Sequence, residues 1–340
     1  MAFIQDIIVN ISKGTAGLKQ KNFRPLIVGT GVAEIDVGIY TELADLVTAG
    51  YLTTDDEYKM AAAMWSQSPS PVDIAVYRKL AATAWDAALT TLLTTFTDFW
   101  AVLITSKTIA DLNTVGTWAG SNKRYFFGEV DDVTAGAARN QEREAYLIHD
   151  TAAEFAAAAW VGQNIPRQPG SFTWKWKRLN GVSAAGYDST DMATIRTNNT
   201  QALQEQAGAI YTNEGISTAG EYIDVVHGQD WVEDQLVKEI LLLMLKNLKI
   251  ALDDMGIPQV EAVVRKVLTS AGQNQIIARA VSEEDMDNSD DKFYQYKVVV
   301  PRRADLSAND LANRDLNAIA FSYWLAGAIH KVRVNGLITV

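Results

Sequence analysis

The chain has 340 residues, of which 48% are hydrophobic and 21% charged, and its net charge is −11. This composition is ordinary for a globular protein and indicates a folded chain of about two domains rather than an intrinsically disordered one. The acidic balance argues against a nucleic-acid-binding function, and the lack of cysteine excludes disulfides, thiol nucleophiles and cysteine-ligated zinc.

No secretory signal is evident at the N-terminus. The most apolar run, residues 240–245, is far shorter than the roughly 20 residues that a membrane-spanning helix needs. We therefore expect a soluble protein that is made in a cytoplasm and does not insert into a membrane.

The N-terminal residues have the pattern of a strand. Ile7, Val9 and Ile11 recur at every second position, and Gly14 and Gly17 follow as candidate hinges. Residues 1–24 are predicted to form an arm that packs on the C-terminal domain or on a neighbouring subunit.

Strand and helix patterns alternate from residue 25 to residue 168. A short apolar run at residues 22–29 predicts a buried strand. Further strands are predicted at residues 72–77, 99–105, 124–130 and 145–149. Helices are predicted at residues 40–49, 54–67, 80–95, 107–117, 135–144 and 151–163. This alternation is typical of an α/β domain with a largely parallel, mixed sheet.

A linker rich in proline precedes residues 169–328, which are predicted to form an α+β core domain. In its first strand, residues 172–177, the aromatic residues are expected on one face and the lysines on the other. A long buried helix is predicted from Trp231 to Met255, with Asp230 as its N-cap, followed by an amphipathic helix at residues 258–271. A strand at residues 294–300 and a short helix capped by Ser307 complete the core.

The chain closes with two extended segments, residues 319–325 and 329–340, which meet at a candidate hinge, Gly327. Residues 319–325 are expected to complete the sheet of the subunit, and residues 329–340 to form an arm strand. The arm residues expected in contacts between subunits are Ile329, Lys331, Val332, Val334, Ile338 and Val340. Asn335-Gly336 leaves open a hairpin within the same molecule.

No catalytic, metal or cofactor site is predicted. The three histidines lie far apart in the sequence, and the acidic loop 282–291 lacks the glycine and the closing glutamate of a calcium loop. Gly29-Thr-Gly31 follows a strand and invites a dinucleotide-binding interpretation, but Glu34 occupies the third glycine position. An α/β nucleotide-dependent enzyme with a doubly wound sheet therefore remains as the alternative function.

Several segments resemble the tail sheath proteins of contractile-tailed bacteriophages, in a compact subgroup. The most specific is Glu221-Tyr-Ile-Asp-Val-Val-His-Gly-Gln-Asp-Trp-Val232, which leads into the long apolar helix. The others are residues 8–12, 25–29, 169–182, 256–258, 298–301, 306–314 and 325–332, and the resemblance is weak between residues 30 and 165. The resemblance is firm from about residue 169 onward.

The resemblance implies a structural protein of the virion tail that assembles in the host cytoplasm. Subunits of such sheaths stack as hexameric rings around a tail tube and donate arm strands to neighbouring subunits. The implied partners are further copies of the chain, the tail tube protein, and baseplate and tail terminator proteins. The sheath contracts and drives the tube through the host envelope, which requires no cofactor and no active site.

Overall fold

The structure, a computed structural model, describes residues 23–334. Its large sheet is built around β1, in which Leu26, Ile27 and Val28 are fully buried. Because side chains alternate along a strand, Leu26 and Val28 enter the core on one face of the sheet and Ile27 enters the core on the other. The two faces therefore carry separate hydrophobic cores.

Eight strands make up this sheet in the order β2-β3-β1-β4-β5-β6-β7-β8. The six inner strands are parallel, and the two edge strands, β2 and β8, are antiparallel to their neighbours. The strands are β1 Pro25–Gly31, β2 Ile35–Tyr40, β3 Ile74–Leu80, β4 Ala101–Ile104, β5 Tyr125–Val130, β6 Glu144–Ile148, β7 Gln201–Gln206 and β8 Ala209–Thr212. The predicted α/β class with a mixed sheet is confirmed.

Helices cover both faces of the sheet. They are α1 Leu43–Thr48, α2 Asp56–Trp65, α3 Trp85–Leu92, α4 Ile109–Ser121, α5 Ala156–Asn164 and α6 Ser189–Thr197. Helices α1, α2 and α5 supply the core on the Ile27 side, whereas α3, α4 and α6 supply the opposite core. β7 and β8 follow residue 168, the predicted end of the α/β domain, and both belong to its sheet.

Two local predictions are wrong. Residues 135–143 form turns and irregular backbone instead of a helix: Gly136 packs so closely on Asn198 that a Cβ would lie 2.6 Å from its carbonyl oxygen, and Arg139 binds the buried Glu144 carboxylate at the start of β6. Residues 172–177 form no strand: Trp176 has a φ of 64° and is exposed, while Lys175 is buried and its Nζ lies 3.0 Å from Glu214 Oε2. The left-handed backbone at Trp176 interrupts the expected alternation.

The long helix, α7, spans Ile223–Lys246 and thus begins and ends eight or more residues earlier than predicted. Asp230 is not its N-cap but a buried residue of its interior. The first half is buried as expected, whereas Leu245 is 73% exposed and Leu248, just beyond the helix, is fully exposed. The prediction of burial along the whole helix is therefore wrong for its C-terminal end.

A smaller unit packs on the middle of α7, where Val232 and Leu236 enter its core. It contains α8 Ile257–Gln273, α9 Glu283–Asp287, α10 Ala308–Asn313, β9 Tyr296–Val299 and β10 Ala320–Tyr323. One stripe of α8, including Val260, Val264 and Leu268, is buried as the sequence predicted. Ser307 caps α10 by accepting a hydrogen bond from the backbone N–H of Asp310, again as predicted. This unit carries the C-terminal arm.

Candidate functional site

An open strand edge is the first part of the candidate site. β9 and β10 form an antiparallel ribbon in which Phe321 lies opposite Val298 and Tyr323 opposite Tyr296. Trp324 N–H donates to Gln295 C=O, so the backbone groups of Phe321 and Tyr323 point away from β9 in the alternating pattern of an antiparallel pair. In the part of the chain that the structure describes, no strand pairs with this outer edge of β10.

The outer edge of β9, by contrast, is covered by the chain itself. Asp290 N–H donates to the carbonyl of Tyr296, and Val298 N–H donates to the Asp290 carboxylate at 2.7 Å. Ser289 Oγ accepts from the backbone N–H of Tyr296. The acidic loop therefore closes one edge of the ribbon and leaves the β10 edge available.

The chain leaves β10 in a fixed direction. Ala278 N–H donates to Trp324 C=O, and Ala326 N–H donates to Ile276 C=O, so the segment after β10 continues along residues 276–278. Gly327, the predicted hinge, then adopts a φ of 63°, a conformation that favours glycine. A Cβ there would meet nothing within 4 Å, so its backbone conformation alone accounts for the glycine.

The described part of the C-terminal arm, residues 329–334, forms no strand and pairs with no strand within residues 23–334. Its apolar side chains point to solvent: Ile329 is 79% exposed, Val332 76% and Val334 88%. Lys331 is exposed as well. The remaining predicted arm and hinge residues lie outside the described residues: Ile7, Val9, Ile11, Gly14, Gly17, Ile338 and Val340, as does Asn335-Gly336.

His330 is the exception in the arm, because its ring turns toward the body of the subunit. Its Nε2 lies 2.9 Å from Thr173 Oγ1, and its ring packs edge-on against Tyr222 at 4.8 Å between centroids. Burial lowers the pKa of His330, with the Lys175 ammonium acting in the same direction. The ring is therefore neutral at pH 7.

The N-terminal arm is also rooted on the body. Phe23, the first described residue, packs against His227 at 4.5 Å between ring centroids. Arg24 next to it pairs with both Asp73 and Asp98 at 2.5 Å. Both arms thus enter the body near the first turns of α7, the N-terminal one at His227 and the C-terminal one at Tyr222, the N-cap.

Buried polar contacts join α7 to the large sheet. The Asp230 carboxylate accepts two hydrogen bonds from the Arg143 guanidinium, at 2.7 and 2.6 Å, and one from Trp100 Nε1 at 2.6 Å. Lys123 Nζ lies 2.8 Å from Glu233 Oε1. Burial among aromatic rings lowers the pKa of His227 to about 3. These contacts hold α7 firmly against the sheet on which the chain is built.

The structure also tests the nucleotide-binding alternative. Gly29-Thr-Gly31 leads into another strand, β2, so no helix N-terminus follows it to receive a phosphate. A cleft of about 970 Å³ lies at the carboxyl ends of β1, β3 and β4. Glu57 fills the space against Gly29, since a Cβ there would lie 1.8 Å from Glu57 Oε1, and Asp111 stands in the first turn of α4. Arg78 and Lys79 also line the cleft, but Arg78 is already paired with Glu57 and Asp55, and the acidic side chains of the lining outnumber the basic ones, so the cleft disfavours a phosphate group.

Over residues 23–334 no group of acidic or histidine side chains is arranged to hold a metal ion. No helix within that range is both long and apolar enough to cross a bilayer. The sequence had singled out the apolar arm but neither His330 nor the open edge of β10. The β10 edge is open because residues 320–323 pair with one side of β9 and residues 289–290 bind its other side. No local sequence pattern predicts these contacts.

Comparisons with known proteins point to one family. The profile described as "E217 tail sheath protein gp31-like, C-terminal domain" matches residues 223–338. No curated protein sequence matches the chain.

Solved structures share the fold along the chain. A chain of the anti-feeding prophage baseplate has a TM-score of 0.70 at 11% identity, with 100% of both chains covered. A contracted extracellular contractile injection system sheath (PVC) has a TM-score of 0.70 at 10% identity, covering 100% of this chain and 98% of the other. The sheath tail protein Lin1278 of Listeria innocua has a TM-score of 0.56 at 8% identity, covering 82% and 89%. The C-terminal part of the chain, residues 223–338, is therefore similar to the C-terminal domain of a tail sheath protein family, and the chain as a whole shares the fold of these solved structures.

Proposed function

We propose that this chain polymerises around a tail tube and that the sheath then contracts to drive the tube through a host envelope for genome delivery. One observation carries the proposal: the chain presents an open strand edge on β10 together with an apolar arm that has no strand partner in the described residues. The edge can accept a strand and the arm can donate one, as in other cases of strand addition.

The donor and the acceptor are different surfaces of the chain, so the contact between two copies is heterologous. Heterologous contacts generate closed rings or open helical filaments. Full burial of an aliphatic side chain contributes about 1.5 to 3 kcal/mol. Covering Ile329, Val332 and Val334, which are 79%, 76% and 88% exposed, would therefore stabilise each junction by several kcal/mol.

The arrangement we propose is a stack of hexameric rings, with a baseplate at one end and a terminator at the other. It is supported by the similarity to a chain of a baseplate structure determined with six-fold symmetry and to sheaths in the contracted state. Each subunit would move as a rigid body about its arm segments, with Gly327 as one hinge. The protein would belong to the virion tail and assemble in the host cytoplasm.

We further propose that the chain is not an enzyme. Work would come from energy stored when the extended sheath assembles, and this requires no catalytic group. The carboxylates in the cleft at the end of β1 support this proposal because they oppose the binding of a nucleotide.

Deletion of residues 329–340 tests the arm. We expect a folded, soluble chain that no longer forms tubes in negative-stain micrographs. A full-length variant with Ile329, Val332 and Val334 changed to serine should fail in the same way, since it keeps the length of the arm and loses its apolar contacts. Sheath tubes formed by the truncated chain would refute the arm assignment. A small monodisperse oligomer that nucleotides stabilise against heat would favour the enzyme alternative.

A further inference from the structure

The arm of this subunit lies close to an edge that it could itself occupy. Four residues separate the last residue of β10, Tyr323, from Ala328, and Gly327 with its positive φ lies between them. A turn there would fold residues 329–334 back onto the open edge of their own β10. A tethered strand acts at an effective concentration in the millimolar range, so self-pairing competes strongly with a neighbour.

The structure holds the arm away from that edge. Ala326 N–H is bonded to Ile276 C=O, so the chain passes the end of the ribbon before it turns. His330 then fixes the arm to the body through Thr173 and Tyr222. Of residues 329–334, His330 alone is partly buried, and its neighbours all face solvent.

The attachment point is itself rigid. Thr173 precedes Trp174, which is fully buried and whose carbonyl accepts from Trp160 Nε1 at 3.0 Å and from Thr212 Oγ1 at 3.1 Å. The Thr173 hydroxyl also hydrogen-bonds the half-buried Asp224 carboxyl. A hydroxyl that donates to Asp224 can accept a hydrogen bond from His330 in the tautomer that carries its proton on Nε2.

We propose, on the basis of the sheath function above, that His330 is a positioning residue that clamps the C-terminal arm to its own subunit, prevents the arm from pairing with its own β10 edge and keeps it available to another copy. The clamp is polar and small, so it can be released without exposing a core. While His330 is bound to the body, the apolar side chains of the arm face solvent and can contact another copy of the chain.

The test compares Thr173→Val and His330→Ala with Thr197→Val in the full-length chain. Thr197 donates a comparable hydrogen bond, to Ala193 C=O at 2.9 Å, on a helix far from the arm in sequence. In the unassembled protein we expect hydrogen exchange of the outward-facing amides of Phe321 and Tyr323 to slow in both clamp variants, by up to about five-fold, because losing one hydrogen bond shifts the balance toward self-pairing by about that factor. Assembly into tubes should slow by a similar factor.

Thr197→Val should match the wild type in both measurements. His330→Gln should show the wild-type exchange and assembly rates as well, because the glutamine amide can still donate a hydrogen bond to Thr173. General loosening of the fold would speed exchange at these amides, so slower exchange is specific to self-pairing. Unchanged or faster exchange in both clamp variants would overturn the clamp. If the wild type forms no tubes, the sheath function fails, and the exchange measurement still decides the clamp.

Discussion

Replacement of His227 by phenylalanine should stabilise the protein and make it less sensitive to acid. The imidazole stacks on Trp100 at 4.3 Å between centroids and meets Phe23 edge-on, and neither ring nitrogen has a hydrogen-bond partner among residues 23–334. An unsatisfied buried polar group costs about 1 to 3 kcal/mol. Since phenylalanine keeps the ring contacts and removes both nitrogens, we expect a gain of that order at pH 7.

The pH dependence gives the sharper test. Burial lowers the pKa of His227 from 6.5 to about 3. Between these two pH values the imidazole is protonated in the unfolded chain and neutral in the folded chain. The stability that depends on the neutral ring is complete above about pH 6.5 and falls as the pH approaches 3. At about 1.36 kcal/mol per pH unit, the loss is about 2 kcal/mol at about pH 5.

Urea unfolding, followed by tryptophan fluorescence at about pH 7 and about pH 5, measures both effects. His227→Phe should lack the loss of about 2 kcal/mol that the wild type shows between these conditions. His149→Phe is the matched control: His149 is equally buried but its Nε2 lies 2.8 Å from Glu154 Oε2, so the same substitution should destabilise. A His227→Phe variant that is less stable at pH 7, or that keeps the acid sensitivity of the wild type, would refute the reasoning.

Two further substitutions probe the connection of α7 and the hinge. Asp230→Asn leaves the Arg143 guanidinium without its buried counter-ion and should lower the free energy of unfolding in urea by about 3 to 5 kcal/mol. The double variant with leucine at both positions should lose less stability, and an equal loss in the two variants would contradict this reasoning. Gly327→Ala should disfavour the positive φ by about 1 to 2 kcal/mol and slow tube assembly in light scattering without changing thermal unfolding, while Ala328→Gly should assemble normally. Normal assembly of Gly327→Ala would show that the arm does not depend on this backbone conformation.

The elements that could be predicted from the sequence are those in which the local pattern of apolar residues determines which side chains are buried. β1 is an uninterrupted apolar run, and α8 carries its apolar residues on one stripe, so both were found within a few residues. β7, with the sequence Gln-Ala-Leu-Gln-Glu-Gln, was missed because it has few β-branched or aromatic residues, and its place beside β6 determines its conformation.

The misassigned residues have partners that are distant in the sequence. Asp230 has the character of an N-cap but its carboxylate is bound by Arg143, 87 residues away. Lys175 was expected in solvent but pairs with Glu214, 39 residues further on. The candidate site divides in the same way: the apolar arm could be predicted from its composition, whereas His330 depends on Thr173, 157 residues earlier.

The attachment of both arms near the start of α7 determines how force crosses the subunit. Tyr222 and His227 are five positions apart, about 7.5 Å along a helix. Tension that enters through one arm and leaves through the other would therefore cross a short, aromatic and ion-paired part of the molecule. A pulled chain of such subunits would lengthen at its flexible connections, while each folded body would keep its shape.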